Sequence, residues 1–161
     1  MRKTCFVTIF ILLLNLATYA GDFEDGQTAF EAKDYDTAVK KWKPLAESGN
    51  AEAQASLGLM FFQGVGVPRD HAKAGEWWTK AAEQNNAQAQ FRLGFMYSQG
   101  LGGYPKDRVQ AYKWWDLAAS KGIEEAEHYR NFIVNKMTPE EINEAKKLSK
   151  GWMEKLEQSK E

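Results

Sequence analysis

Cysteine and histidine are almost absent from this chain of 161 residues. With Cys5 as its one cysteine, the chain has no possible internal disulfide, so packing alone must hold the fold together. The two histidines, His71 and His128, are too few for a metal site built from imidazoles, and none is predicted. Proline occurs 4 times, which excludes a collagen-like or proline-rich segment.

Neither sign of charge prevails, since 21 basic and 22 acidic residues give a formal net charge of -1. Such a balance creates no strong field that would favour nucleic acid or an anionic membrane. Hydrophobic residues make up 43% and charged residues 27%, a composition typical of globular proteins and unlike that of disordered chains. At this length, the composition predicts one domain or one short repeat array.

The first twenty residues have the three-part pattern of a secretory signal peptide. Arg2 and Lys3 precede a nearly apolar run from residue 6 to residue 14, and a small residue, Ala20, marks the expected cleavage site. An uncleaved anchor is the alternative, but the run is shorter than the ~20 residues that a membrane-spanning helix needs. We therefore expect a periplasmic or secreted protein without a stable membrane anchor after residues 1–20 are removed.

A period of 36 residues organises the rest of the chain. The segment AEAQASLGLMFFQGVG at residues 51–66 recurs as AQAQFRLGFMYSQGLG at residues 87–102. The block PRDHAKAGEWWTKAAEQNN, from Pro68, then recurs at a spacing of 37 as PKDRVQAYKWWDLAASKGI, from Pro105. Of the 35 aligned pairs, 16 are identical, which identifies an internal duplication.

Each copy is predicted to form a helix, a glycine-rich loop and a second helix, with apolar residues at helical spacing. Gly58 and Gly94 interrupt the first helices at a cost of about 1 kcal/mol each relative to alanine, which predicts that another helix packs close to the backbone there. Asp70 and Asp107 are the predicted N-caps of the second helices. The apolar face of the second helix consists, in the first full copy, of Ala74, Trp77, Trp78, Ala81 and Ala82. In the second full copy it consists of Ala111, Trp114, Trp115, Ala118 and Ala119.

Incomplete copies flank the two full ones. Trp42 aligns with Trp78 at a spacing of 36, in a copy that lacks the glycine-rich loop. Near the other end, Thr138 and Glu141 form a predicted capping box that opens a final helix with one apolar face. The predicted units are a signal peptide at 1–20, a degenerate repeat at 21–50, full repeats at 51–86 and 87–123, and a half-repeat with a capping helix at 124–161.

The pattern A-x-A-Q-x-x-L-G-x-M-[FY]-x-x-G-x-G, followed by P-x-D-x-x-x-A-x-x-W-W-x-x-A-A, resembles the Sel-one-like repeat (SLR) family. The resemblance is close over residues 51–122 and weak over residues 23–50. It implies an all-α fold, a right-handed α/α solenoid of antiparallel helix pairs, used as a protein-binding adaptor. A cysteine-rich branch of the family is linked to penicillin binding and hydrolysis, but that branch depends on a disulfide in each repeat, so the activity is not carried over.

Catalytic chemistry finds no support in the sequence. No serine lies in a nucleophile motif, and no predicted strand precedes the Gly64-Val65-Gly66 loop, as a phosphate-binding loop requires. His71 is expected to be exposed in the first turn of its helix, without partners at metal-ligand spacing. We therefore predict that the chain is not an enzyme and has no cofactor and no catalytic residue.

Positions at which the two full copies differ indicate a contact surface, because a scaffold keeps its core and varies its contacts. The first helices are expected to line the concave side, where phenylalanine and arginine are favoured interface anchors. Drift, or packing against the next repeat, is the alternative explanation. The predicted partner-binding residues are Leu59, Phe62, Phe91, Arg92 and Phe95, with Arg92 free of an internal salt bridge.

These observations predict a secreted or periplasmic adaptor that binds a protein or peptide on its concave groove. One alternative is an enzyme or small-molecule binder of the cell envelope, acting on a peptidoglycan fragment or a β-lactam. The other is a structural module that assembles with itself. No nucleic-acid partner is expected.

Overall fold

The structure is a computed structural model that describes residues 21–158, and all regular secondary structure within that range is α-helical. The predicted signal peptide lies outside the described residues. The first helix, α1, is described over residues 21–31. The following helices are α2 (Tyr35–Glu47), α3 (Ala51–Gln63), α4 (His71–Glu83), α5 (Ala87–Gln99), α6 (Arg108–Ala119), α7 (Glu124–Val134) and α8 (Pro139–Gln158).

The helices stack as antiparallel pairs. Helix α1 packs against α2, α3 against α4 and α5 against α6, and each second helix also packs against the first helix of the next pair. Helix α7 continues the stack on α6, whereas α8 turns back and packs along α6. The predicted fold class, an all-α solenoid of helix pairs with a C-terminal capping helix, is confirmed.

The hydrophobic core runs through the solenoid as three adjoining clusters. The first lies among α1, α2 and α3, the second among α4, α5 and α6, and the third among α6, α7 and α8. Each cluster contains one tryptophan of a second helix that exposes 4% of its surface or less, namely Trp42, Trp78 and Trp115 respectively. Equivalent indoles therefore anchor successive helix pairs.

Side-chain caps begin the helices of each pair in the same way. Asp34, Asp70 and Asp107 accept a hydrogen bond from the backbone N–H three residues later, at 3.0–3.2 Å, at the starts of α2, α4 and α6. The predicted N-caps at Asp70 and Asp107 are thus confirmed. Asn50 and Asn86 cap α3 and α5 in the same manner. Because these caps satisfy backbone groups that helix ends leave unpaired, each element begins at a defined residue.

The buried indoles lie directly on glycines of the first helices. A Cβ atom added at Gly58 would lie 2.6 Å from Cδ1 of Trp78, and one added at Gly94 would lie still closer to Cδ1 of Trp115. Only glycine leaves room for the indole to reach the backbone of the neighbouring helix. The predicted close approach of another helix at both glycines is confirmed.

The same contact includes a hydrogen bond. In each pair the indole N–H donates to a backbone carbonyl three residues before the glycine, and Gly26 repeats the arrangement in the degenerate N-terminal pair. The bonds run from Trp42 to Phe23 at 3.1 Å, from Trp78 to Ala55 at 3.1 Å, and from Trp115 to Phe91 at 3.2 Å.

A buried glutamine joins consecutive helix pairs. Gln54 donates to the carbonyl of Ala46 at the end of α2, at 3.0 Å, and accepts from Gln84 just after α4, at 2.8 Å. Gln90 makes the equivalent bonds one repeat later: it donates to the carbonyl of Ala82 at the end of α4 and accepts from the ammonium of Lys121. Neighbouring pairs are therefore positioned by directional bonds as well as by packing.

The last helix begins with the predicted capping box. The Thr138 N–H donates to the Glu141 carboxylate at 2.8 Å, and the Glu141 N–H donates to the Thr138 hydroxyl at 3.2 Å. Further along, the Ser149 hydroxyl donates to Asp116 of α6 at 2.7 Å, and Asp116 also pairs with Arg130 of α7 at 2.9 Å. The capping helix is thus tied to the last full repeat, which a terminal cap of a solenoid must cover.

Replacing Gly58 with alanine is expected to destabilise the chain, although alanine forms helices better by about 1 kcal/mol. The added methyl overlaps the indole of Trp78, and overpacking of this kind costs about 1–3 kcal/mol. Gly151 is the matched control, because it is helical and exposed and has open space beside it. Urea unfolding should show a lower midpoint for Gly58→Ala and an equal or higher one for Gly151→Ala. A raised midpoint for Gly58→Ala would contradict this account of the contact.

Lys121 is expected to make stability depend on pH between about 8 and 10. Burial lowers the pKa of Lys121 to about 8, whereas an unfolded lysine keeps a pKa of about 10.4. Below pH 8 both states carry the charge. Above it the folded state loses its proton first, so the free energy of unfolding rises with pH through this group.

The variant Lys121→Gln, which introduces the residue found at the equivalent Gln84, should lack that rise. The difference between the two proteins should stay below about 1 kcal/mol, because the lysine is partly solvated. Urea midpoints of both proteins at several pH values between 7 and 10 measure the effect. Equal pH slopes in the two proteins would show that the ammonium is not penalised by burial.

Candidate partner-binding surface

The five predicted partner-binding residues lie on two neighbouring first helices. Leu59 and Phe62 belong to α3, and Phe91, Arg92 and Phe95 belong to α5. All five are partly buried. The structure therefore places them in one layer of the solenoid, and each side chain combines an internal contact with an accessible part.

The two phenylalanines of α5 contact opposite neighbours. Phe95 meets Phe62 of α3 edge to face, with 6.4 Å between ring centroids. Phe91 lies 5.9 Å from Tyr129 of α7. The suggestion that these positions pack against neighbouring repeats is therefore correct for both rings. Phe62, Phe95, Phe91 and Tyr129 form a row of rings across three first helices, which we call the ring row.

Core contacts hold the α3 end of the ring row in place. Phe62 stacks on His71 with 4.9 Å between centroids, and it lies 5.4 Å from Trp78. His71 lies in the first turn of α4 as expected, but it is half-buried rather than exposed, because the imidazole covers a phenylalanine ring. Leu59 and Phe62 also pack against the core cluster of α4, α5 and α6. These two residues contribute to the core as well as to the surface.

Arg92 carries a charge beside the ring row. Its guanidinium lies over the Phe91 ring, 5.4 Å from the centroid, and makes no ion pair within 4.0 Å in the described part of the chain. Burial lowers the pKa of Arg92, and the negative charge of Glu125 opposes that shift. A guanidinium keeps its proton at neutral pH, so it is available to an external carboxylate.

Two exposed rings on α7 extend this surface and were not predicted. Tyr129 and Phe132 expose 39% and 54% of their surfaces. Beside them runs a groove of about 300 Å³ with a basic border formed by Lys106, Arg108 and Lys136. The ammonium of Lys136 lies over the Phe132 ring, 4.4 Å from its centroid. The available signal was the helical spacing of Tyr129 with the buried residues Ala126 and Ile133, and the position of Phe132 three residues after Tyr129, at the edge of that face.

The chemical groups that this surface offers are aromatic rings and cations. Within residues 21–158, no group of three or more His, Cys, Asp or Glu side chains is arranged to hold a metal ion. None of the helices described there combines the length and apolar character needed to cross a membrane. Aromatic rings supply apolar area, and the surrounding cations supply charge, a combination common at protein interfaces.

The geometry defines a class of protein: an α solenoid of repeated helix pairs. The family model for the Sel1 repeat matches residues 51–86 and 87–123. The chain belongs to the Sel1-like repeat family, whose repeats generally act as protein-interaction modules.

Two solved structures share this fold. A protective antigen with an SLR fold, present in uropathogenic Escherichia coli strains, is 32% identical over 84% of this chain, with a TM-score of 0.79. A Sel1 repeat protein from Oxalobacter formigenes is 33% identical over 69% of this chain, with a TM-score of 0.65. This chain spans 30% of the first protein's chain and 45% of the second's. No curated protein matches the chain.

Proposed function

We propose that the chain is a non-catalytic adaptor that binds a protein or peptide across the ring row and the groove beside α7, which we take as the concave face. The observation that supports this surface is the exposure of Tyr129 and Phe132, at 39% and 54%, next to the predicted residues Phe91 and Arg92. Large aromatic side chains left exposed together mark interaction sites, because burying them on a partner is favourable.

Charge around the surface favours a partner segment with mixed apolar and acidic side chains. Lys106, Arg108 and Lys136 border the groove, and Arg92 lies beside the ring row without an ion pair among the described residues. Apolar side chains of the partner pack on the rings, and its carboxylates pair with these cations. Such pairs at the rim set the association rate and the choice of partner more than the affinity itself.

We place this interaction in the periplasm or outside the cell. The support is the sequence pattern of residues 1–20, with its basic start, short apolar run and small residue at Ala20. In bacterial cells that produce the chain, the mature protein should appear in the periplasmic or extracellular fraction, with Gly21 as its first residue. N-terminal sequencing of the fractionated protein checks this, and a cytoplasmic protein that keeps Met1 would contradict it.

Replacing Phe132 with serine is expected to weaken partner capture and leave the fold intact. More than half of this side chain is exposed, so the free energy of unfolding should change by no more than about 0.5 kcal/mol. Wild type and variant serve as bait in periplasmic extract, and proteins enriched by wild type should fall about tenfold with Phe132→Ser, a loss of about 1.4 kcal/mol. Met153→Ser is the matched control, because Met153 is also exposed but lies on α8.

Substitutions in the ring row extend the same experiment. The double substitution of Phe91 and Phe95 to alanine should also reduce capture, and Arg92→Glu should reduce it further and alter its dependence on salt. Melting curves separate lost binding from lost folding, since both phenylalanines are partly buried. Capture that Phe132→Ser leaves unchanged, or that Met153→Ser reduces equally, would contradict the proposed surface.

A further inference from the structure

A second groove, of about 370 Å³, lies between the second helices α2 and α4, with α3 beneath it. It shares no residue with the ring row or with the groove beside α7. Its floor is apolar, and lysines stand at its border. The residues that matter here are Leu57, Phe61 and Trp77 on the floor and Lys43, Lys73 and Lys80 at the border.

The equivalent place one repeat later is filled by the chain's own α8. The internal duplication puts Trp114 of α6 where Trp77 lies in α4. Trp152 of α8 meets Trp114 edge to face, with 5.2 Å between ring centroids. The ammonium of Lys113 lies over both rings, 4.0 and 4.6 Å from their centroids. An aromatic side chain on a helix is thus held at this position by ring contact and by a shared cation.

A loop residue fills the remaining space in that equivalent groove. The ring of Tyr104 lies against Gly75 of α4, which leaves no room for a Cβ atom. The Tyr104 and Thr79 hydroxyl oxygens are 2.7 Å apart, and the Tyr104 ring also meets Tyr97 edge to face. This second ring completes the packing between α4 and α6.

The groove between α2 and α4 has neither of these rings. Val67 directly precedes Pro68, as Tyr104 directly precedes Pro105, and valine is much smaller than tyrosine. Among residues 21–158, no aromatic ring stacks on Trp77. The Lys80 ammonium lies 4.3 Å from the centroid of the Trp77 ring, so a lysine covers the indole here too. It does so from the position that Leu117 occupies in α6, whereas Glu76 stands at the aligned position of Lys113. One half of the arrangement is present, and the incoming ring is missing.

The charged residues at the border of the groove indicate which side chains a partner would carry beside its aromatic ring. The groove is bordered by three lysines and one carboxylate, that of Glu76. Lys43 pairs with Glu47 at 4.0 Å, and Lys73 pairs with Asp70 at 3.5 Å. Exposed ion pairs of this kind contribute about 0–1 kcal/mol to stability. Because these exposed pairs are weak, the lysines of the lining remain available to carboxylates of a partner.

We propose that this groove is a second docking site, which binds a helical segment of a partner protein that presents one aromatic side chain flanked by carboxylates. The aromatic ring packs on Trp77 and shares the Lys80 ammonium, as in the contact between α6 and α8. Carboxylates on the same segment meet Lys43 and Lys73. This site goes beyond the proposed function, because it is separate from the ring row and lets one chain hold two partners.

The probe for this site is a fluorescein-labelled peptide of about twenty residues, rich in alanine and glutamate with one central tryptophan, long enough to form a helix. Fluorescence anisotropy with the full chain measures its Kd. Replacing the peptide's tryptophan with alanine, or its glutamates with lysine, should raise that Kd about tenfold or more. The peptide should also bind about tenfold more weakly to the protein variant with Lys73→Glu and Lys80→Glu.

The variant replaces lysines rather than Trp77, because Trp77 also packs against the core cluster of α1, α2 and α3. Lys73 and Lys80 are exposed, so their replacement tests binding rather than folding. The control variant carries Lys146→Glu and Lys147→Glu, the same charge reversal on exposed positions of α8, and should bind the peptide like wild type. Phe132→Ser should also bind it normally, so this test and that of the ring row give separate answers.

Several outcomes would overturn the proposal. One is equal binding of the glutamate-rich and lysine-rich peptides, and another is unchanged binding by the Lys73→Glu, Lys80→Glu variant. A third is a dimer in analytical ultracentrifugation that this variant abolishes, which would identify a second copy as the occupant. Peptide binding that begins only after residues 1–20 are removed would identify the chain's own first residues as the occupant.

Discussion

The contact between an indole of the second helix and the backbone of a glycine in the first helix sets the packing of each helix pair in this solenoid. Because Gly58 and Gly94 lack a Cβ atom, Trp78 and Trp115 reach the backbone of the preceding helix and donate to a carbonyl there. A carbonyl oxygen has two lone pairs, so it accepts this bond without losing its helical partner. The hydrogen bond fixes the position of the indole along the axis of the first helix, and the contact with the glycine fixes how closely the indole approaches that helix. Each pair is thereby held in register without a disulfide.

A repeated pair geometry turns sequence differences between the copies into differences in surface. The position that carries Lys80 in α4 carries the buried Leu117 in α6, and Val67 in one loop corresponds to Tyr104 in the next. The backbone arrangement is conserved while the space above it opens or closes. One groove between second helices is therefore filled by the chain itself, and its equivalent is left open.

The path of α8 decides which surfaces remain accessible. It returns along α6, where Trp152 packs on Trp114 and the Ser149 hydroxyl donates to Asp116. The outer face of α7 is left uncovered by this path, so Tyr129 and Phe132 stay exposed. The cap protects the last full repeat and leaves an aromatic surface on the helix beside it. The contacts of the cap and the exposed aromatic pair therefore lie on different faces of the same end of the solenoid.

The sequence by itself determined the repeat period, the division of each repeat into a first and a second helix, the aspartate caps, the capping box at Thr138 and the glycines beneath the indoles. These features depend on local spacing and on residue types with strong conformational preferences, and such signals repeat visibly in a duplicated chain. Only the tertiary structure decided that Phe91 and Phe95 face opposite neighbours, that His71 covers a ring and that α7 presents an exposed aromatic pair. Those facts depend on how far one helix is rotated and shifted against the next, and that relation arises from many side chains packing together rather than from any one segment.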